Sequence, residues 1–162
     1  MLGQGREFIR EMRRGEEDRV DRLLRAAFGG ADEAKLVRDL RKARLMAGEQ
    51  VIPSGDEIIG YYALSRMVTP KGWLALAPVA IAPDHQRRGL GRRLVGQLAE
   101  WARLTGTPVV VLGDPAFYGA AGFSSAMAAD LTSPYPVTHH LLAGVTAPPK
   151  VSLIYPPAFT GL

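Results

Sequence analysis

Cysteine is absent from the 162-residue chain, which excludes disulfides, thiolate metal sites and a cysteine nucleophile. Histidine is scarce. His85, His139 and His140 are the whole complement, without HxxxH or HExxH spacing, so no histidine-based metal centre is expected. No apolar run is long enough to span a bilayer, and Met1 to Arg14 is mostly polar with no apolar signal core. The expectation is a cytoplasmic protein with no membrane partner. The net charge is +4, but the basic residues are spread out and no aromatic-rich RNA motif accompanies them. Nucleic acid is therefore not the expected ligand. Internal repeats, low-complexity segments and a dividing linker are also lacking, so residues 1–162 read as a single domain.

The residues present suit a packed α/β fold, with 47% hydrophobic and 22% charged. Arg6 to Met12 reads as a first strand. A helix follows, with Glu16, Glu17 and Asp18 at its positive end and Val20, Leu23, Leu24, Ala27 and Phe28 at helical spacing, stopped by Gly29-Gly30. Asp32 is expected to cap a second helix carrying Leu36, Val37, Leu40 and Ala43 on one face. Leu45 to Ile52 and Glu57 to Met67 read as a hairpin about Pro53-Ser54-Gly55-Asp56. Trp73 to Ala82 is nearly all apolar, as a buried central strand should be. A helix with Leu94, Val95, Leu98, Trp101 and Ala102 on one stripe leads through Gly106 to a short strand, Val109 to Leu112. This strand–helix–strand order is a crossover unit and implies two parallel strands. Beyond Phe123 the pattern weakens to loops, with a last strand expected over Val151 to Tyr155. Such a C-terminal edge strand could pair two copies into a homodimer.

The most informative stretch runs from Val79 to Gly91. A strand enters a Pro83-Asp84 turn, then Gln86-Arg87-Arg88-Gly89-Leu90-Gly91, then the amphipathic helix. Glycines let a phosphate approach the backbone, and a helix start offers unpaired N–H groups with a positive dipole end. Arg87, Arg88, Arg92 and Arg93 crowd the same place. Helical spacing cannot aim all four alike, so one or two phosphate contacts are expected and the rest form a solvated face. Neither Gly-x-Gly-x-x-Gly nor Gly-x-x-x-x-Gly-Lys-Ser/Thr is present.

Gln86-x-x-Gly89-x-Gly91 after a strand resembles the acyl-CoA signature of the GNAT superfamily of N-acetyltransferases. Tyr118-x-x-x-Gly122-Phe123, one crossover unit later, resembles that family's second motif. Gly113-Asp114-Pro115 with Tyr118, and Tyr155 to Phe159 near the C-terminus, are similar to a bacterial subgroup of predicted acetyltransferases. The resemblance covers about Glu7 to Phe123. It implies the acyl-CoA N-acyltransferase fold: a mixed, largely antiparallel sheet with one splayed parallel pair and flanking helices. It also implies acetyl-CoA as cosubstrate. Main-chain groups of Val79, Ala80 and Ile81 would hold the pantetheine. The loop Gln86, Arg87, Arg88, Gly89, Leu90, Gly91 and Arg92 would hold the pyrophosphate. Tyr118 would be the acid that protonates the departing thiolate, whose thiol pKa is roughly 8.5 against roughly 10 for a tyrosine. Taken alone, a tyrosine beside a Gly-Phe turn is a packing feature.

The implied reaction is transfer of an acetyl group to a primary amine by direct attack in a ternary complex, since no cysteine exists for an acyl-enzyme. Two departures from the family pattern stand out. The strand Trp73 to Ala82 carries no carboxylate to act as base, leaving Glu57, Asp84, His85, Asp114, His139 and His140 as candidates. Asp84 and His85 also suit the turn, and Asp114 suits a helix cap. Gly113-Asp114-Pro115 stands where many relatives have an asparagine. The missing carboxylate keeps open a rival reading, a non-catalytic acyl-CoA-binding or regulatory module. A basic nucleic-acid-binding protein is the third reading. The acceptor pocket is expected among residues 28–35, 61–70 and 133–140.

Overall fold

A computed structural model describes residues 8–160. Arg6 and Glu7, placed in the first strand above, lie outside the described residues. What remains of that strand is β1, Arg10–Glu11, followed by α1, Glu17–Phe28. Glu17 and Asp18 sit in the first turn of α1, Val20, Leu23 and Leu24 are buried, and Gly29 closes it at φ 70° by donating to Arg25 O. Phe28 is exposed, off the apolar stripe.

Glu16, just before α1, is the knot between β1 and the helix. Its carboxylate accepts two bonds from Arg10, at 3.0 and 2.6 Å, and one from the Arg13 amide at 2.7 Å. The Arg10 bond leads in holding its pKa at about 2, against burial that raises it. The folded carboxylate thus stays ionised where the unfolded one protonates. Its contribution is present above about pH 4.5 and lost as pH falls toward 2. We expect Glu16→Gln to cost ~2 kcal/mol at pH 7. The gap from the native protein should close below pH 3 in denaturant titrations.

The second helix, α2, is Asp32–Lys42. Asp32 is its first helical residue rather than its cap; Ala31 holds that place without a side-chain bond. Ala43 falls past the helix end and is exposed.

The sheet has six strands in order β1 to β6. β2, Met46–Ser54, and β3, Glu57–Arg66, form the hairpin. Its turn is only Gly55–Asp56, with Gly55 at φ 60°, so Pro53 and Ser54 belong to the strand beside a register shift. β4, Leu74–Ile81, pairs antiparallel with β3, and β5, Val109–Leu112, pairs parallel with β4. The crossover helix α3, Leu90–Thr105, lies between them in the chain and is closed by Gly106 at φ 67°. Leu94, Val95, Leu98 and Ala102 pack from α3 onto the sheet, but Trp101, at the edge of that stripe, is 42% exposed. α1 and α2 cover the opposite face.

A short helix, α4, spans Pro115–Ala120. β6, His140–Ala143, then pairs antiparallel with β5. This strand corrects the expectation that the region is loop, and it buries one of the two tandem histidines: His140 is 1% exposed, whereas His139 is exposed. Val151 to Tyr155 is not a strand. Isolated bridges tie it to the body, Ile154 to Thr69 and Ser152 to Thr132. It supplies no edge for pairing copies; the sheet edges are β1 and β6. Among the described residues no helix is long and apolar enough to cross a membrane, and no group of three or more His, Asp or Glu could hold a metal ion.

Candidate functional site

The pairing of β4 with β5 stops early. It covers Leu74 with Val109, Ala75 with Val110 and Leu76 with Val111, and beyond these the strands fork. Pro78 stands just past the last pair and has no N–H to give a ladder. The register with β3 also shifts there, between Tyr62 and Leu64.

Past Pro78, alternation decides which main-chain groups face the fork. Ala82 N–H donates to Ile59 O at 2.8 Å, so even-numbered residues turn their amides to β3. Ala80 pairs with Tyr61 in this way, and its side chain is buried toward α1. Val79 and Ile81 turn their main-chain groups into the fork instead. Ile81 O there accepts Gln86 Nε2 at 3.0 Å. Gln86 thereby pins the loop back onto the strand.

The loop itself is a single 3-10 turn, Pro83–His85, followed by two left-handed residues, Arg87 at φ 64° and Gly89 at φ 78°. Gly89 opens α3 with no side-chain cap and no acid in the first turn. Arg93 N–H to Gly89 O, 3.1 Å, is the first bond of the helix. The amides of Leu90, Gly91 and Arg92 therefore have no acceptor within it, at the positive end of a 16-residue helix. A Cβ on Gly91 would already stand 3.4 Å from Phe117 Cζ and 3.6 Å from Ile81 Cγ1, so anything larger there narrows the floor.

Tyr118 reaches the same place from α4. Asp114 sets the start of that helix, its carboxylate accepting the Ala116 amide at 3.0 Å, as its cap position suggested. The tyrosine ring lies over bare backbone at Gly113, where a Cβ would be 2.5 Å from Tyr118 Cε2. Phe117 and Phe123 meet it edge-on, at ring distances of 4.9 and 6.1 Å. Gly122, at φ 113°, brings the end of α4 against α3, where its Cβ would stand 3.0 Å from that of Ala99. The Gly-Phe turn thus packs the helix that carries Tyr118. Burial, with the Asp114 charge adding, pushes the phenol up to about 12. The surroundings thus move the phenol away from the range of the departing thiol rather than toward it.

These parts enclose a cleft of about 330 Å³. One wall is Val79 and Ile81; the other is Phe117 and Tyr118. His85, Gln86, Arg87 and the segment from Gly89 to Arg92 close its end. Of the expected residues, Ala80 and Arg88 do not line it. Arg88 instead donates to His85 Nδ1 at 2.6 Å. That bond also occupies the one base candidate beside the cleft. Glu57 and Asp84 border a different surface cleft with Arg19 and Arg22. His139 is exposed. Both nitrogens of His140 are engaged, Nδ1 with Pro136 O and Nε2 with Ser133 Oγ, at 2.9 Å each. Its pKa is lowered, chiefly by burial.

Residues 17–123 match the acetyltransferase (GNAT) family. The uncharacterized N-acetyltransferase YhbS of Escherichia coli K12 is 38% identical over 125 residues, 74% of each chain. The crystal structure of YhbS from Escherichia coli in complex with CoA superposes with a TM-score of 0.82 at 30% identity, covering 97% of this chain and 94% of that one. A GNAT family acetyltransferase from Brucella melitensis, in complex with acetyl-CoA, shares the fold with a TM-score of 0.78 at 24% identity, over 95% of this chain and 98% of that one.

Proposed function

The chain belongs to the GNAT family of acetyltransferases, and on that premise we propose that it moves the acetyl group of acetyl-CoA directly onto a primary amine within a ternary complex. The observation that carries this reading is the convergence of a bare strand edge, an uncapped helix start and a half-buried phenol on one cleft. Each suits a different part of the cosubstrate. Amides of Leu90, Gly91 and Arg92, with Arg87 and Arg92 beside them, offer donors to the pyrophosphate. Val79 and Ile81 offer main-chain groups to the amide-bearing pantetheine arm, as a neighbouring strand would.

Chemistry then proceeds at the fork. The amine lone pair attacks the thioester carbonyl carbon, and the oxygen takes up negative charge that a fixed N–H on β4 can stabilise. The C–S bond breaks, the amide forms, and the sulfur leaves as thiolate. Tyr118, protonated throughout the physiological range, donates its hydrogen bond to that sulfur. A proton released by the amine restores neutrality.

Calorimetry with acetyl-CoA, paired with thiol release over an amine panel, tests the proposal. Saturable binding and amine-dependent thiol release are expected. Gly91→Val should abolish binding by filling the floor between Ile81 and Phe117, with the fold retained. Absence of binding at millimolar cosubstrate would overturn the reading. Binding without thiol release from any amine would assign a binding module instead.

A further inference from the structure

Across the fork from this cleft, on the α2 face of the sheet, lies a second cavity of about 280 Å³. Its floor includes Ala77 and Leu112, the first residues of β4 and β5 beyond their last mutual pair, together with Val110. Tyr135, Tyr155 and Phe159 stand over it. Their rings form a cluster, with Tyr155 5.3 Å from each of the other two. No charged side chain among the described residues lines the cavity.

Two details mark it as built. Tyr135 rides on a loop tied down from below: its amide donates to Ser133 Oγ at 3.1 Å, and buried His140 holds that serine and Pro136 O. In addition, Tyr155 Oη is buried without any hydrogen-bond partner. Such an orphan costs free energy that the packing of its ring over the cavity must offset. Burial also raises its pKa, so it remains a neutral phenol.

We propose that this cavity holds the apolar body of the acceptor, so that the substrate is a compact arylalkyl or alkyl primary monoamine. The proposal rests on the acetyltransferase reading and names its acceptor class. It also accounts for the missing carboxylate. An ammonium entering an apolar pocket loses hydration and gains no counter-charge, so its pKa falls. The neutral nucleophile is then selected by desolvation, without a protein base. Polyamines and other polycations are refused by the same logic.

The test uses phenethylamine, a series from ethylamine to hexylamine, and spermidine. Calorimetry should show phenethylamine binding to the native chain, weakened at least tenfold in Ala77→Leu while acetyl-CoA binding is unchanged. In thiol release, kcat/KM should rise roughly fourfold per added methylene until the cavity is full. Tyr155→Phe should keep kcat/KM for phenethylamine within about twofold, with an unchanged or raised melting temperature, because the ring stays over the cavity and removing an unpaired, inaccessible hydroxyl breaks no contact. A flat amine series, a preference for spermidine, or chain-length dependence on the acyl-CoA in place of the amine would each overturn the proposal, as would a lowered melting temperature in Tyr155→Phe. Failure of acetyl-CoA to bind at all would sink the transferase reading separately, since phenethylamine calorimetry needs no cosubstrate.

Discussion

Tyr118→Phe is expected to lower kcat about a hundredfold, the low end for loss of a positioned acid, while acetyl-CoA affinity changes little. The split follows from where the hydroxyl acts. Its ring packs against Gly113, Phe117 and Phe123, and a phenylalanine keeps those contacts. Only the bond to the departing sulfur is lost, and that bond matters most after the tetrahedral intermediate has begun to collapse. The pH profile supplies an independent check. The phenol titrates at about 12, so the form that donates persists below that pH and declines only as pH rises through it. The native rate should therefore show no alkaline fall up to pH 10. It should rise with pH as amine deprotonates, and the variant should follow a parallel curve set lower. An alkaline limb near pH 8 to 9 in the native enzyme, absent from the variant, would show that Tyr118 is tuned toward the thiol after all. Unchanged turnover would remove it from the acid role.

Gly144→Ala is expected to cost about 4 kcal/mol of stability and roughly 12 °C in melting temperature. Gly144 leaves β6 at φ 86°. A Cβ there would stand 2.6 Å from the Thr107 carbonyl carbon and closer still to its oxygen. Thr107 cannot retreat freely, because its amide is bonded to Ala102 O at the end of α3. Backbone therefore meets backbone, and no rotamer relieves it. Gly106→Ala is the control. It has a similar positive φ but open space around the added carbon, so it should cost only about 1 kcal/mol. Equal losses in the two variants would show that conformation alone, rather than the collision, governs Gly144.

What could be read without coordinates was whatever local spacing encodes. The apolar periods of α1 and α3, the glycine stops at 29 and 106, and the crossover that makes β4 and β5 parallel all follow from neighbours in sequence. The joining of the Gln86 to Arg92 loop with Tyr118 in one cleft does not follow from spacing; it is implied by the resemblance of the two motifs to one family. β6 escaped because His140-Leu141-Leu142-Ala143 is short, buried on every residue and so without alternation, and follows a proline-rich loop. Val151 to Tyr155 misled for the opposite reason: it is apolar enough for a strand, yet only isolated residues find partners. Nor can spacing say which edge of β4 a carbonyl faces. Separating Ala80 from Val79 and Ile81 needs the register with β3. The second cavity draws on residues 77, 110, 112, 135, 155 and 159, which no motif links.

The fork between β4 and β5 also bears on aggregation. An unpaired strand edge is ordinarily a template for a stray chain, and proteins guard their outer edges with charge, proline or brevity. Here the bare edge lies inside the sheet, between two strands still joined at their other end. A stray strand could reach it only through the wedge, which the pairing of Leu76 with Val111 closes at its base. The opening that offers backbone to a ligand is thus set back from the outer edges, β1 and β6, where chains ordinarily stack.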